Sequence, residues 1–489
     1  MKKFSSALAW LTASEVVFNV AAYVVHAAVG RILGPADYGR YGLVVTLTTM
    51  VIVLVGNGIP TAMSKYLSEH FEQSPEKIHA IKKQAAFLQA LVIGGLTVAF
   101  FFLAPVLSFL LKDPTLTPLF QISSLIIPAF AAASFYHHYF TGLHLFKLQA
   151  ITKIFRSFAR VGFIILAAWY LHVEGAVGGY VLAPLFTFGA AILIDELYIK
   201  RKLEMGVKTA SEFVFPAKAI LVYAWPLTVF LIFYEFILTL DLYFVKALLQ
   251  DDYKTGLYNA AITVGRIPYY LFYALAVMLL PAISKTTAEN NVVETEALVN
   301  KSLRLLALLL FPLVTLLIVY APQVLHFFYG HRYDAAADAM NVFALGVGFL
   351  TVFYVLSFAL NGAGLVKVPM KLTFFGLLGM IALNFLLIPR FEIVGAALST
   401  TIVSLILMVG ALIYTEIHFN VKLSWKTLLF SFLFSVLIAW LSHLLPQGTY
   451  SFMLSGTILL VLYFFLLRTV KVLTDEDLAP FKKVLRLAK

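Results

Sequence analysis

The sequence predicts an all-α polytopic membrane protein: fourteen transmembrane helices in two parallel six-helix repeats, V-shaped bundles around a central cavity, with two further helices at the C-terminal end. Three observations carry that prediction. First, 61% of the 489 residues are hydrophobic and 12% are charged, whereas soluble domains average about 45–50% apolar and 25% charged. Second, the apolar residues gather into stretches of membrane-spanning length. Third, landmarks of the first half return 215 to 221 residues later.

In chain order, the apolar stretches cover residues 8–31, 40–64, 84–111, 117–142, 148–171, 177–199, 218–245, 256–284, 302–328, 336–361, 368–389, 393–417, 424–445 and 450–468. Each reaches roughly the ~20 residues with which a helix crosses about 30 Å of hydrocarbon. A membrane barrel needs recurring alternating segments of about ten residues, and this chain has none. Met1-Lys2-Lys3 runs into a full-length apolar stretch without a small-residue cleavage site, so this stretch is read as a retained first helix and not as a cleaved signal. The lack of cysteine excludes disulfides, thiolate metal sites and cysteine nucleophiles.

Between the first two spans lies Arg31-Ile-Leu-Gly-Pro-Ala-Asp-Tyr-Gly-Arg-Tyr-Gly-Leu43. Pro35 cannot continue a helix, and Arg31, Asp37 and Arg40 cannot rest in hydrocarbon, so the chain turns there at a water interface. Lys246 to Tyr258 repeats the pattern, with Asp252-Tyr253 matching Asp37-Tyr38. Later landmarks keep the register: Pro60 to Lys65 with Pro281 to Lys285, Ala104-Pro105 with Ala321-Pro322, Thr141-Gly142 with Asn361-Gly362, and Val177-Gly178 with Val394-Gly395. Six spans per copy is an even number, so both copies enter from the same side as parallel repeats. The expected division is a six-helix bundle over 1–205, its repeat over 206–420, two added helices over 421–470 and a basic cytoplasmic tail over 471–489. Two like bundles that rock about a central cavity are the design of a transporter.

Charge sets the orientation. With a cytoplasmic N-terminus, 28 of the 36 Lys and Arg fall on that side, 7 on the other, and Arg266 alone lies within a span. This is the positive-inside pattern, and it predicts a multi-pass protein of the cell membrane with both termini cytoplasmic. The net charge of +11 is thus accounted for by the membrane faces, not by nucleic acid. Lys77, Lys82 and Lys83, then Lys200-Arg201-Lys202, then Lys482, Lys483 and Arg486 are read as anchors to anionic lipid.

The pattern GRILGPADYGRYGL at 30–43, GNGIPTAMSKYLSE at 56–69, the echoes GLHLFK and GAGLVK, and the layout of six, six and two spans resemble the polysaccharide flippases of the multidrug/oligosaccharidyl-lipid/polysaccharide exporter superfamily. The resemblance covers essentially the whole chain. It implies translocation of a polyprenyl-pyrophosphate-linked oligosaccharide from the cytoplasmic to the outer leaflet for cell-surface polysaccharide synthesis. It also implies partnership with that glycolipid, with membrane lipids and with glycan-assembly enzymes. Lipid II flippases share the fourteen-span layout, but their fuller arginine set is missing from the first two helices here. A cation-coupled multidrug exporter and a membrane enzyme of glycan assembly are the other readings; without a catalytic pair, the enzyme reading is the weakest. No cofactor and no metal is expected, and coupling to Na+ or H+ stays open.

Polar residues inside spans are the site candidates, since a buried charge needs a cavity or a partner. In the first span Glu15, Asn19 and His26 share one face, and Glu15 is either a helix-packing acid or a cavity-facing ion or proton site. In the eighth, Asn259, Thr263, Arg266 and Tyr270 share a face. Arg266 cannot shed its proton and needs an anion, either a carboxylate such as Glu235 or Asp241 or a visiting phosphate. Lys153, Arg156 and Arg160 form a basic stripe at the inner end of the fifth span, read either as snorkelling to headgroups or as an inner-leaflet port for a pyrophosphate; the matching positions near Thr373, Gly376 and Met380 carry no charge. Arg31, Arg40 and Lys246 mark the outer mouth. The adjacent His137 and His138 point about 100° apart and make no metal site. The last two spans are expected to pack outside the second bundle and to form a groove for the polyprenyl tail.

Overall fold

In hydrocarbon every backbone N–H and C=O must be satisfied within its own segment, so long apolar stretches become helices. The computed structural model describes residues 2–56, 58–71, 77–200, 217–419, 421, 424–475 and 477, and these contain helices and turns with no strand. Arg201, Lys202, the expected bundle boundary at 205/206 and the tail lysines Lys482 and Lys483 with Arg486 lie outside the described residues. Among the described residues ten helical stretches are long and apolar enough to cross a membrane.

The helices are α1 (Lys2–Gly56), α2 (Gly58–His70), α3 (Lys77–Leu110), α4 (Leu116–Ser124), α5 (Ile126–Gly142), α6 (Phe146–Ile194), α7 (Ala217–Leu249), α8 (Asp252–Gly265), α9 (Ile267–Ala288), α10 (Val292–Val319), α11 (Ala321–Tyr329), α12 (Ala337–Gly362), α13 (Lys367–Phe419), α14 (Trp425–Ser442) and α15 (Ser451–Thr469). A π-helical turn, Asp195–Lys200, follows α6, and a 3-10 turn, His331–Ala336, precedes α12. Three helices are too long for one crossing, and each contains a break: Gly34 in α1, Leu171 and His172 in α6, and Glu392 in α13.

The duplication is visible in the backbone. His172 (φ 49°, ψ −129°) and Glu392 (φ 52°, ψ −129°) stand at matching positions and share one unusual conformation. His144 and Gly364, and Lys112 and Gly330, are likewise matched residues of positive φ. Three residues past the breaks at His172 and Glu392 the helix re-enters against the arm it has just left, which matches Gly395 with Gly175 and corrects the expected pairing with Gly178. A Cβ built on Gly175 would lie 1.9 Å from the Ala167 carbonyl oxygen, and one on Gly395 would lie 2.3 Å from that of Leu387. Only glycine tolerates that approach. Landmark also meets landmark: Gly142 lies against Ser64 and Leu67, and Gly362 against Leu280 and Ile283.

The chain divides into two compact units, Met1–Ile232 with Gln250–Gly256, and Phe233–Leu249 with Leu257–Lys489. In the first, α1 and α5 pack on α6, α2 packs on α5, and α3 on α4. Its core gathers Met63 and Leu67 of α2, Ile81 and Ala85 of α3, and Tyr139 and Phe140 of α5. Lys82 belongs to this core, contrary to its expected role as a lipid anchor: its ammonium pairs with the buried Asp195 and lies 4.3 Å from the centre of the Tyr139 ring. In the second unit, α12 packs on α13 and α9, and α10 packs on α12 and α14. The added pair, α14 and α15, lies against α10 and keeps Phe432, Trp440 and Phe465 exposed, the outward apolar surface that hydrocarbon tolerates and water does not.

Candidate functional site

The first unit holds a concentration of positive charge. Lys153, Arg156 and Arg160 recur at i, i+3 and i+7 along α6, so they share a face. That face turns inward onto α1. Lys153 is 9% exposed and pairs with Glu15; its ammonium lies 5.1 Å from the centre of the Phe18 ring. The Arg156 guanidinium lies 5.0 Å from the same ring and 4.9 Å from that of Phe130. Arg160 stands 5.4 Å from Phe18 and 4.9 Å from Tyr180, whose hydroxyl accepts a hydrogen bond from its Nη2. Three cations therefore gather on one phenyl ring, an arrangement favoured by the ring quadrupole, with one carboxylate among the pairs described.

Glu15 makes one ion pair, and the buried Nε atoms of Arg156 and Arg160 have no hydrogen-bond partner among the described residues. At 1.5 Å per residue Arg156 lies about 15 Å and Arg160 about 21 Å along α6 from Phe146. The stripe packs against α1 and does not face outward, so a lipid-facing, snorkelling stripe is not what forms. Above it, His26 Nδ1 lies 3.0 Å from the Tyr38 hydroxyl, and Tyr38 stacks on Tyr41, which faces Tyr180.

The second unit builds a different constellation. Asp241 of α7 is fully buried and fully bonded: it accepts from the Tyr258 hydroxyl at 2.5 Å, the Thr400 hydroxyl at 2.8 Å and the Leu242 N–H at 2.8 Å. Arg266 falls between α8 and α9, where Pro268, lacking an N–H, starts a new helix. Its Nη2 donates to the Leu238 carbonyl, and its Nε is buried with no hydrogen-bond partner among the described residues. Leu238 C=O and Leu242 N–H face each other one turn apart along α7, so Arg266 and Asp241 engage the two ends of one helical step.

The family model described as polysaccharide biosynthesis protein matches residues 6–287, more than half of the chain and the whole of the first constellation. The chain belongs to that family. A second model, MatE, matches residues 226–386. An uncharacterised membrane protein of Methanocaldococcus jannaschii is 24% identical over 78% of this chain and 91% of its own. The stage V sporulation protein B of Bacillus subtilis is 24% identical over 89% of this chain and 88% of its own. A putative O-antigen transporter of Shigella flexneri is 22% identical over 76% and 88%. Among solved structures, the lipid II flippase MurJ in an inward closed conformation superposes with a TM-score of 0.71 at 16% identity, over 93% of this chain and 99% of that one. An inward-facing multidrug resistance transporter of the MATE family superposes with 0.68 at 13% identity, over 85% and 98%. The fold is that of the exporter superfamily.

In this member of the polysaccharide biosynthesis family the expected site residues are dispersed over several environments. Glu15 joins the three cations of α6, but Asn19 donates to the Glu15 backbone carbonyl instead of entering the cluster. Arg266 makes no ion pair within 4 Å among the described residues and donates to the Leu238 carbonyl, while its charge still acts on the half-buried Glu235 and the buried Asp241. Asn259 is buried at 2% while Tyr270 is 46% exposed, because the break at Arg266 ends the face they were expected to share. At the expected outer mouth Arg40 bonds Thr115 and stands 3.6 Å from Asp37, Lys246 is buried, and Arg31 is exposed. Phe18, Tyr180, Tyr258 and Thr400 were missed. The aromatic residues gave no signal in an apolar chain, and Thr400 stands 159 positions from Asp241.

Proposed function

We propose that the chain is a flippase that moves a polyprenyl-pyrophosphate-linked oligosaccharide from the cytoplasmic to the outer leaflet by alternating access, in the service of cell-surface polysaccharide synthesis. The observation that carries the reading is the cluster on Phe18, where three cations meet one carboxylate within an apolar helical stretch. A charge in hydrocarbon is tolerated when it meets a partner or lines a path for one. Guanidinium groups hold phosphate oxygens through paired hydrogen bonds, and Arg156 and Arg160 each keep an unused buried donor for that purpose. Glu15 then serves as a placeholder that holds Lys153 until the pyrophosphate arrives.

The setting is the cell membrane, with fourteen crossings and both termini cytoplasmic. The long helices α1, α6 and α13 each cross twice, and α14 with α15 offers its exposed apolar face to the polyprenyl tail. The polypeptide performs transport and no covalent chemistry. Its partners are the glycolipid, membrane lipids and the enzymes that assemble the glycan. A second reading, flipping of lipid II, is favoured by the superposition on MurJ and uses the same pyrophosphate chemistry. The two separate in vesicles reconstituted with the full chain and loaded with a labelled polyprenyl-pyrophosphate oligosaccharide, lipid II, or a cationic drug. The proposal predicts translocation of the first substrate; translocation of lipid II alone supports the second reading, and movement of the drug alone overturns both.

A further inference from the structure

The joint between α11 and α12 carries a cluster unrelated to the charges described above. His326 lies in the last turn of α11. Gly330, at φ 87°, then folds the chain back in the left-handed region that glycine enters freely, and the 3-10 turn brings His331 and Asp334 onto His326. The two imidazole centroids are 3.8 Å apart. His331 Nδ1 is 3.0 Å from Asp334 Oδ2, and His326 Nδ1 is 3.6 Å from Asp334 Oδ1. At 3.6 Å the second pair is not a hydrogen bond, and Oδ1 is buried with no hydrogen-bond partner among the described residues.

An orphaned carboxylate oxygen facing two close imidazoles lacks a cation. The three ligand atoms lie within 4.8 Å of one another. Around a tetrahedral ion with bonds of about 2.0–2.1 Å, ligand atoms stand roughly 3.3 Å apart, and each imidazole has one carboxylate oxygen of Asp334 near that spacing, Oδ2 at 3.0 Å from His331 and Oδ1 at 3.6 Å from His326. We propose that His326, His331 and Asp334 bind one divalent transition-metal ion, of which zinc is the type. Two nitrogens and one oxygen suit zinc, cobalt or nickel, whereas calcium and magnesium take oxygen ligands. His331 is 85% exposed along its side chain, so a fourth position opens to water. The ion would clip the end of α11 to the 3-10 turn that leads into α12.

The test uses the full chain, purified without a polyhistidine tag and stripped with a chelator, then titrated with Zn2+ in a calorimeter and with Co2+ by visible absorption. The wild type should bind one ion per chain, show the absorption of tetrahedral cobalt and melt at a higher temperature with zinc than without. Asp334→Asn should lose these responses, and His331→Ala, an exposed position that cannot disturb the core, should weaken binding at least tenfold. The other histidines among the chain's 11 are controlled by the variant in which all three ligands are replaced. Equal binding by that variant and the wild type overturns the proposal, as does a wild type that binds neither metal or binds Mg2+ equally well.

Discussion

The side chains in this chain are set by what they find several helices away, and the partners of its charges illustrate why local reasoning reaches only part of the site. Glu15 and Arg266 were recognisable as site candidates because an ionisable residue within an apolar span stands out by itself. Their partners were not: Lys153 meets Glu15 from 138 positions away, and Arg266 bonds a backbone carbonyl, which no residue type advertises. Lys82 shows the converse, since its place in a basic cluster indicated a lipid anchor while the distant Asp195 and two tyrosine rings draw it inward. Beyond the last helix, Arg304 grips Asp477 with Nε at 2.9 Å and Nη2 at 3.0 Å, and Thr474 adds its N–H and hydroxyl to the same carboxylate. Burial pushes the Asp477 carboxyl up, but the bonds from Arg304 and Thr474 outweigh it and hold the group below its usual value. A depressed carboxyl contributes stability that is fully present above the ordinary carboxylate range and is lost as pH falls through the lowered value. The clasp should therefore stay closed at neutral pH and open in acid below that range. Hydrogen exchange at the Thr474 amide, corrected for intrinsic rate, checks this: protection should fall on acidification in the wild type and be absent at neutral pH in Asp477→Asn.

Helices were the most legible level, because apolar length is a local property and each expected span from 84–111 to 148–171 lies on a helix or helix pair. The breaks were harder to read. Gly34 and Pro35 announce the first, but His172 and Glu392 are ordinary residues held at positive φ by the arms that close on them. At such a position a non-glycine residue costs about 1–3 kcal/mol, so His172→Gly should leave stability unchanged or raise it by about 1 kcal/mol. Gly175→Ala should do the reverse. Its new methyl would meet the Ala167 carbonyl oxygen at 1.9 Å, and forcing the arms apart should cost about 1–3 kcal/mol or more. The matched Gly395→Ala should behave alike if the two copies share one construction. Thermal unfolding in detergent, with membrane abundance as a second readout, decides between these signs.

For the whole molecule, the duplication in sequence becomes a duplication of backbone geometry, while the functional chemistry departs from it. The two copies repeat their glycines and breaks, yet the cationic stripe of α6 has uncharged counterparts near Thr373, Gly376 and Met380. That asymmetry matches a carrier whose substrate bears its charge at one end, and it makes the cluster on Phe18 the centre of the account. The most direct measurement is Arg156→Gln in proteoliposomes, scored for flipping of a polyprenyl-pyrophosphate oligosaccharide against protein incorporated. Gln keeps hydrogen-bonding capacity and relieves the local excess of positive charge, so abundance should be unchanged or higher. A lost charge-assisted hydrogen bond of about 1.5–3 kcal/mol should lower flipping about tenfold or more, with Arg156→Lys intermediate because it keeps the charge but loses the fork. Flipping by Arg156→Gln at the wild-type rate and abundance would contradict the account.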